Sequence, residues 1–275
     1  MISGLVSNCW RKQLLEEIPM ETLITEAVTR GYRAVELRQT CLGKFESGPE
    51  HMPNTEALST LPNLFPTVQF NMAMAMPVLS NTLVPDAPLV QAGLQAARAV
   101  SGQFKPHLRL VDLTTQFTEL TKSQTEKIVD TMTRLADAAK LRNVTLSVEN
   151  SIQPWSLFHQ IMEQQRLRRG DDSPLQLCYD AANLLLQTEK IAPDVITRSL
   201  RSNEISMVHF KQRANGQFLE SVDDGDINWS EQLDALAHIN FNGVALFEIE
   251  SSSTVWQSLD SGRDYLTAHG ARFES

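Results

Sequence analysis

The chain has 275 residues, 42% hydrophobic and 21% charged, with a formal net charge of −9. This is ordinary globular composition, long enough for one large core, and the acidic balance argues against a nucleic-acid surface, which usually carries a basic excess. No apolar run approaches the roughly 18 residues of a membrane span, and three widely spaced cysteines, Cys9, Cys41 and Cys178, do not make a disulfide framework.

Taken in order, the chain alternates short apolar runs with helical patterns. The strand-like runs are SGLVSN (3–8), RAVELR (33–38), TVQFNMAM (67–74), LRLVDL (108–113), VTLSVEN (144–150), LQLCYD (175–180), ISMVHFK (205–211) and VALFEIE (244–250). Between the first two, METLITEAVTRG places Leu23, Ala27 and Val28 on one helical face and stops at Gly31. Between the fourth and fifth, Ile128, Met132, Leu135 and Ala139 recur at helical spacing, with Ser123 and Glu126 predicted to form the capping box. Before the eighth, Asn228 and Glu231 mark another helix start. Strand starts roughly 30–40 residues apart fit β-α units. Eight units spanning residues 1–275 predict one α/β domain, a (β/α)8 TIM barrel of eight parallel strands ringed by helices. An open doubly wound sheet would place a Gly-rich phosphate loop after the first strand, and none is present.

In such a barrel the functional side chains sit at the C-terminal strand ends. At or near the ends of the last four runs stand Glu149, Asp180, His209 and Glu248. Each alone is more simply a cap, a salt-bridge partner or a core histidine. Four at consecutive strand ends form an oxygen-rich set with one imidazole, suited to a divalent ion of the manganese or magnesium type, with cobalt, zinc or iron as alternatives. Such an ion is the positive partner that a carboxylate closing the apolar stretch LSVE requires.

LSVEN (146–150), CYDAANLL (178–185), MVHFKQ (207–212), DDGDINWSEQLDAL (223–236), LFEIE (246–250) and GYRAVELR (31–38) together resemble the xylose isomerase-like barrel superfamily of sugar isomerases and epimerases. In members similar to D-tagatose 3-epimerase, strand-end Glu, Asp, His and Glu bind one divalent metal. The resemblance implies that ligand set in Glu149, Asp180, His209 and Glu248, with Glu149 and Glu248 as the acid/base pair. The implied reaction removes a proton next to a carbonyl through a metal-stabilised enediolate. Two departures stand out: Asn183 replaces the family's usual substrate-contacting His, and Gln212 replaces a common Asp. Asn183, Lys211, Arg213 and Glu36 are the expected substrate contacts. The apurinic-site endonucleases share the barrel but use three metals and more histidines. Of the six here, only His209 ends a strand, which argues against that site.

The expected substrate is a small sugar or hydroxy-keto compound, with nucleic acid and membrane not expected as partners and homo-oligomers suggested by analogy. The N-terminus lacks the regions of a signal peptide, so a cytoplasmic location is expected. The runner-up activity is a metal-dependent dehydratase similar to 3-dehydroshikimate or inosose dehydratase; a third reading is a catalytically silent ligand-binding barrel. Among other features, Glu36 and Arg38 should face the mouth, Met74 and Met76 should pack in the core, Cys178 should be buried, and Cys9 and Trp10 should edge the mouth. FESGPEHMPN (45–54) reads as a polar loop and candidate lid.

Overall fold

The computed structural model describes residues 1–169, 173, 175–187 and 191–274. Eight parallel strands close into a barrel: β1 (Ile2–Val6), β2 (Ala34–Arg38), β3 (Gln69–Ala75), β4 (His107–Val111), β5 (Thr145–Glu149), β6 (Leu175–Asp180), β7 (Ile205–Phe210) and β8 (Val244–Phe247). They lie around the ring in chain order, with β1 paired to β8. All eight expected strands are present, within a few residues of the boundaries read from the sequence.

The two-residue period of a strand sorts its side chains between two environments. On β7, Met207 joins Val6, Ala34, Cys178, Val244 and Leu246 in a small apolar cluster, while Val208 and Phe210 join the larger core with the helices. One residue further along Met207's face comes His209, and two beyond that Lys211. Alternation therefore carries the chain from packed apolar interior to site. The pairing of β6 with β7 slips between Leu177 and Cys178, and beyond the slip Asp180 lies directly opposite His209. A local register break of this kind re-aims side chains at a barrel rim.

Helices α1 (Met20–Thr29), α2 (Pro88–Val100), α3 (Lys122–Leu141), α4 (Trp155–Arg169), α5 (Ala181–Leu184), α6 (Pro193–Ser199), α7 (Trp229–His238) and α8 (Val255–Ala268) surround the barrel, with shorter turns between them. Gly31 follows α1 at φ 90°, a conformation open to glycine without strain. Asn228 caps α7 by accepting from the Glu231 amide, as expected. The α3 cap is a correction. Thr121 and Gln124 form the reciprocal box there, not Ser123 and Glu126. The cap sits two residues earlier than the Ser123–Glu126 pattern places it, and Gln fills the role as well as Glu. Among the described residues no helix is long and apolar enough to cross a membrane.

The 45–54 segment forms a short antiparallel hairpin, Glu46–Ser47 against Met52–Pro53, tied down by Gln39 Nε2 donating to the Glu50 carbonyl. A second hairpin follows β7, pairing Arg213–Ala214 with Gln217–Phe218 around Asn215-Gly216, both at positive φ. Asn-Gly is the dipeptide that the mirror-image hairpin turn favours.

His107 begins β4 at the end of the barrel away from the site, buried, with Nε2 2.8 Å from Ser147 Oγ. Burial, and then the nearby Arg109 and Lys105 charges, push its pKa down to about 3. The unfolded chain therefore binds a proton below about pH 6.5 that the folded chain refuses until about pH 3, and stability falls as pH falls through that window. Its share between pH 8 and pH 5 is about 2 kcal/mol. Urea unfolding at both pH values should show His107→Gln with a correspondingly smaller pH dependence; an unchanged slope would mean the ring takes up a proton in the fold.

Candidate active site

β5, β6 and β7 end in Glu149, Asp180 and, one residue before its last, His209; Glu248 directly follows β8. All four are buried. One donor atom from each lies within 4.8 Å of the other three. His209 Nδ1 stands 3.3 Å from Glu248 Oε2, 3.6 Å from Glu149 Oε1 and 3.8 Å from Asp180 Oδ2. Ligands about 2.0–2.3 Å from a common ion stand about 3–4 Å from one another, so the spacing is that of a metal's donors.

Each of the four has one heteroatom fixed by the protein and the other directed inward. Glu149 Oε2 meets Arg109 Nη1 at 2.8 Å, and its Oε1 accepts from Asn183 Nδ2, at 3.0 Å. Asp180 Oδ1 caps α5 by accepting from the Ala182 and Asn183 amides at 2.8 and 3.0 Å, leaving Oδ2 without a hydrogen bond. Glu248 Oε1 accepts from Asn8 Nδ2 at 2.9 Å, again leaving Oε2 without one. His209 Nε2 sits 3.4 Å from Cys178 Sγ and 3.7 Å from Glu36 Oε1, and Nδ1 has no hydrogen-bond partner. Buried polar atoms rarely go unmatched. Three such atoms aimed at one point fit a divalent cation, and the outer contacts set ring and carboxylate orientation as metal sites require.

Two further cations balance the carboxylates. Lys211 Nζ lies 2.9 Å from Asp180 Oδ2 and 2.6 Å from Glu248 Oε2. Burial opposes the charge on Glu248, but Lys211 and His209 hold its pKa well below the carboxylate range. Burial likewise opposes charge on His209; the Cys178 sulfur and the Asp180 and Glu149 carboxylates override it and raise the ring's pKa well above its ordinary value. Metal binding at Nδ1 must therefore displace a proton. Arg109, 1% exposed, lies in the barrel interior and donates through Nε and Nη2 to Glu36 Oε1 while Nη1 reaches Glu149. Two cavities open onto this floor. One, of about 390 Å³, is lined by Asn8, Arg11, Arg38, Lys211, Phe218 and Glu248 among others. The other, of about 220 Å³, adds Arg109, Glu149, Ser151 and Asn183.

Residues 105–273, more than half the chain, match the family model for the xylose isomerase-like TIM barrel. The chain belongs to that family. No curated protein matches it. Among solved structures it resembles the IolI protein with a bound zinc atom, at 16% identity and a TM-score of 0.69, covering 98% of this chain and 96% of that one. It also resembles the probable 3-DHS dehydratase AsbF of Bacillus anthracis (14%, TM-score 0.70, 97% and 99%). A third is the D-allulose 3-epimerase of Methylomonas sp. in complex with D-allulose (13%, TM-score 0.64, 97% and 93%).

Set in this xylose isomerase-like barrel, the residues expected to touch substrate divide. Lys211 and Asn183 line the cavities beside the quartet. Glu36 is fully buried beneath them, paired to Arg109 and close to His209, and lines neither cavity. Arg213 donates to the Gly216 carbonyl and packs over Phe218, also outside both linings. Cys9 and Trp10 do not edge the mouth. Both are fully buried, Cys9 between the Phe247 carbonyl and the Ile249 amide, Trp10 against Trp256, because the turn after β1 folds back under the β8 loop. Met74 and Met76 are core residues as expected, and Cys178 is buried. Gln212 braces the 223–227 loop by donating to the Asp223 and Ile227 carbonyls.

Three site residues escaped the sequence reading. Arg109 was visible as a lone charge inside LRLV, Asn8 as a polar residue two places after β1, and Phe218 as the residue two places after the Asn215-Gly216 turn.

Removing Arg109 takes from the buried Glu36 and Glu149 the guanidinium they share, leaving His209 as the cation near both. Arg109→Met should destabilise the fold by about 3–5 kcal/mol in urea unfolding, and adding Glu36→Gln should recover part of that loss. Equal stability of the single variant and the wild type would show the network carries no net electrostatic weight.

Proposed function

We propose that the protein is a divalent-metal-dependent isomerase or epimerase acting on a sugar or small hydroxy-ketone. The observation carrying this reading is that Glu149, Asp180, His209 and Glu248 bring one donor atom each within 4.8 Å of the others at a single buried point, three of those atoms without a hydrogen bond. Carboxylate oxygens dominate the set, which favours manganese, with magnesium, cobalt, zinc and iron as alternatives; the zinc in the IolI structure supports a divalent ion in this fold. When bound, the ion supplies Lewis-acid polarisation of a carbonyl, which acidifies the neighbouring carbon.

The chain's own groups handle the proton. Glu149 and Glu248 are the base and acid that remove it and return it, one oxygen of each steadied by Arg109 and by Asn8 respectively. Asn183 orients Glu149 Oε1 and stands where the family's usual His would contact substrate, offering a hydrogen bond without a charge. Lys211 keeps Glu248 anionic and can donate to a substrate oxygen. The named epimerase and dehydratase neighbours share this fold. A dehydratase would begin with the same proton removal and then expel a hydroxyl group.

The protein should purify or reconstitute with about one divalent ion per chain, lost in the Glu149→Ala/Glu248→Ala double variant. Loaded with manganese and offered ketoses in deuterated water, it should incorporate deuterium next to the carbonyl, and Glu248→Gln should slow this by about 10²–10⁴-fold. Release of water with formation of an unsaturated ketone would instead assign a dehydratase. Metal binding without exchange on any ketose would leave a binding protein.

A further inference from the structure

The larger cavity contains two guanidinium groups that nothing in the quartet explains. Arg38 ends β2 and lines both cavities; among the described residues its Nη1 donates to Thr40 Oγ1, at 3.2 Å. Arg11 is exposed at the start of the short helix Arg11–Leu15 and lines the larger cavity. Among the described residues neither has a carboxylate within ion-pair distance. Seven of the sixteen arginines do have one, among them Arg109, which lies in the barrel interior. In a chain of net charge −9, two unpaired guanidiniums in one cavity are a local reversal of sign. A guanidinium fork matches phosphate or carboxylate oxygens and binds them more strongly than it binds a neutral hydroxyl.

The geometry points to an anion subsite formed by Arg38 with Arg11, next to the quartet, so that the substrate is a hydroxy-ketone carrying a phosphate or carboxylate group. The substrate class rests on the reading given under Proposed function; the anion subsite itself does not. Two carboxylates share the lining. Glu248 is already held by Asn8 and Lys211. Glu250 is exposed, where water and salt screen its charge. Phe218 gives the same cavity one apolar wall, with Lys211 Nζ 5.1 Å from its ring centre. An anionic group at Arg38 would leave the remainder of a short substrate between that ring and the quartet.

The test is calorimetric titration of the full-length protein with inorganic phosphate, malonate and neutral dihydroxyacetone, as purified and after chelation of metal. Phosphate or malonate should bind the wild type, and the tighter of the two names the anion. Arg38→Gln should weaken that binding about tenfold or more, the loss of one charge-assisted contact. Arg11→Gln should weaken it less, and dihydroxyacetone binding should not move. Manganese affinity, titrated in parallel, should be the same in wild type and Arg38→Gln, which separates the subsite from the quartet. If neither anion binds, or both bind Arg38→Gln as well as wild type, the subsite is wrong, whatever the metal and exchange experiments give. If the anion titration succeeds while no metal binds, the subsite stands and the proposed activity falls.

Discussion

Everything at the mouth of this barrel follows from the cost of gathering carboxylates away from water. Glu149, Asp180, Glu248 and, beneath them, Glu36 are all buried, and a buried carboxylate is tolerated only when paired and hydrogen-bonded. The structure meets that demand with Arg109 between Glu36 and Glu149, Lys211 across Asp180 and Glu248, and His209 among the carboxylates. Even so, Asp180 Oδ2, Glu248 Oε2 and His209 Nδ1 end without hydrogen bonds. A cation at their centre would complete the compensation.

The barrel makes this arrangement precise. Parallel strands put consecutive ends side by side, and the register sets Val111 beside Glu149, Glu149 beside Cys178, and Asp180 beside His209. Inward positions alternate with outward ones, so the apolar floor of Val6, Cys178, Met207 and Leu246 lies directly under the polar layer. That floor limits the solvent that could screen the charges, and the interactions above it are correspondingly stronger. The loops then line the cavity above it. The hairpin after β7 brings Phe218 over Lys211, and the end of β2 brings Arg38 into the cavity.

How much of this the sequence disclosed depends on how local the signal was. The eight strands were legible because each is a short apolar run bounded by turn residues. The convergence of Glu149, Asp180, His209 and Glu248 was legible because the barrel rule converts strand ends into neighbours. Asn228 announced its helix because a cap is a one-residue event, whereas the α3 cap at Thr121 was misplaced because Ser123 and Glu126 satisfied the same pattern. What was not legible was long-range pairing. Glu36 was expected to face the mouth, but its partner Arg109 is 73 residues away and draws it inside. Trp10 and Cys9 were expected at the rim, and contacts to residues near position 250 bury them. No spacing within the chain encodes those distances.

The central claim is that the four inward atoms share one ion. A crystal of the full-length protein grown with manganese, with data collected for manganese anomalous scattering, tests it most directly. The account predicts one strong anomalous peak about 2.0–2.3 Å from Glu149 Oε1, Asp180 Oδ2, His209 Nδ1 and Glu248 Oε2, with Lys211 released from at least one of the two carboxylates it bridges. No peak among these atoms at saturating manganese, with Lys211 still spanning Asp180 and Glu248, would contradict it.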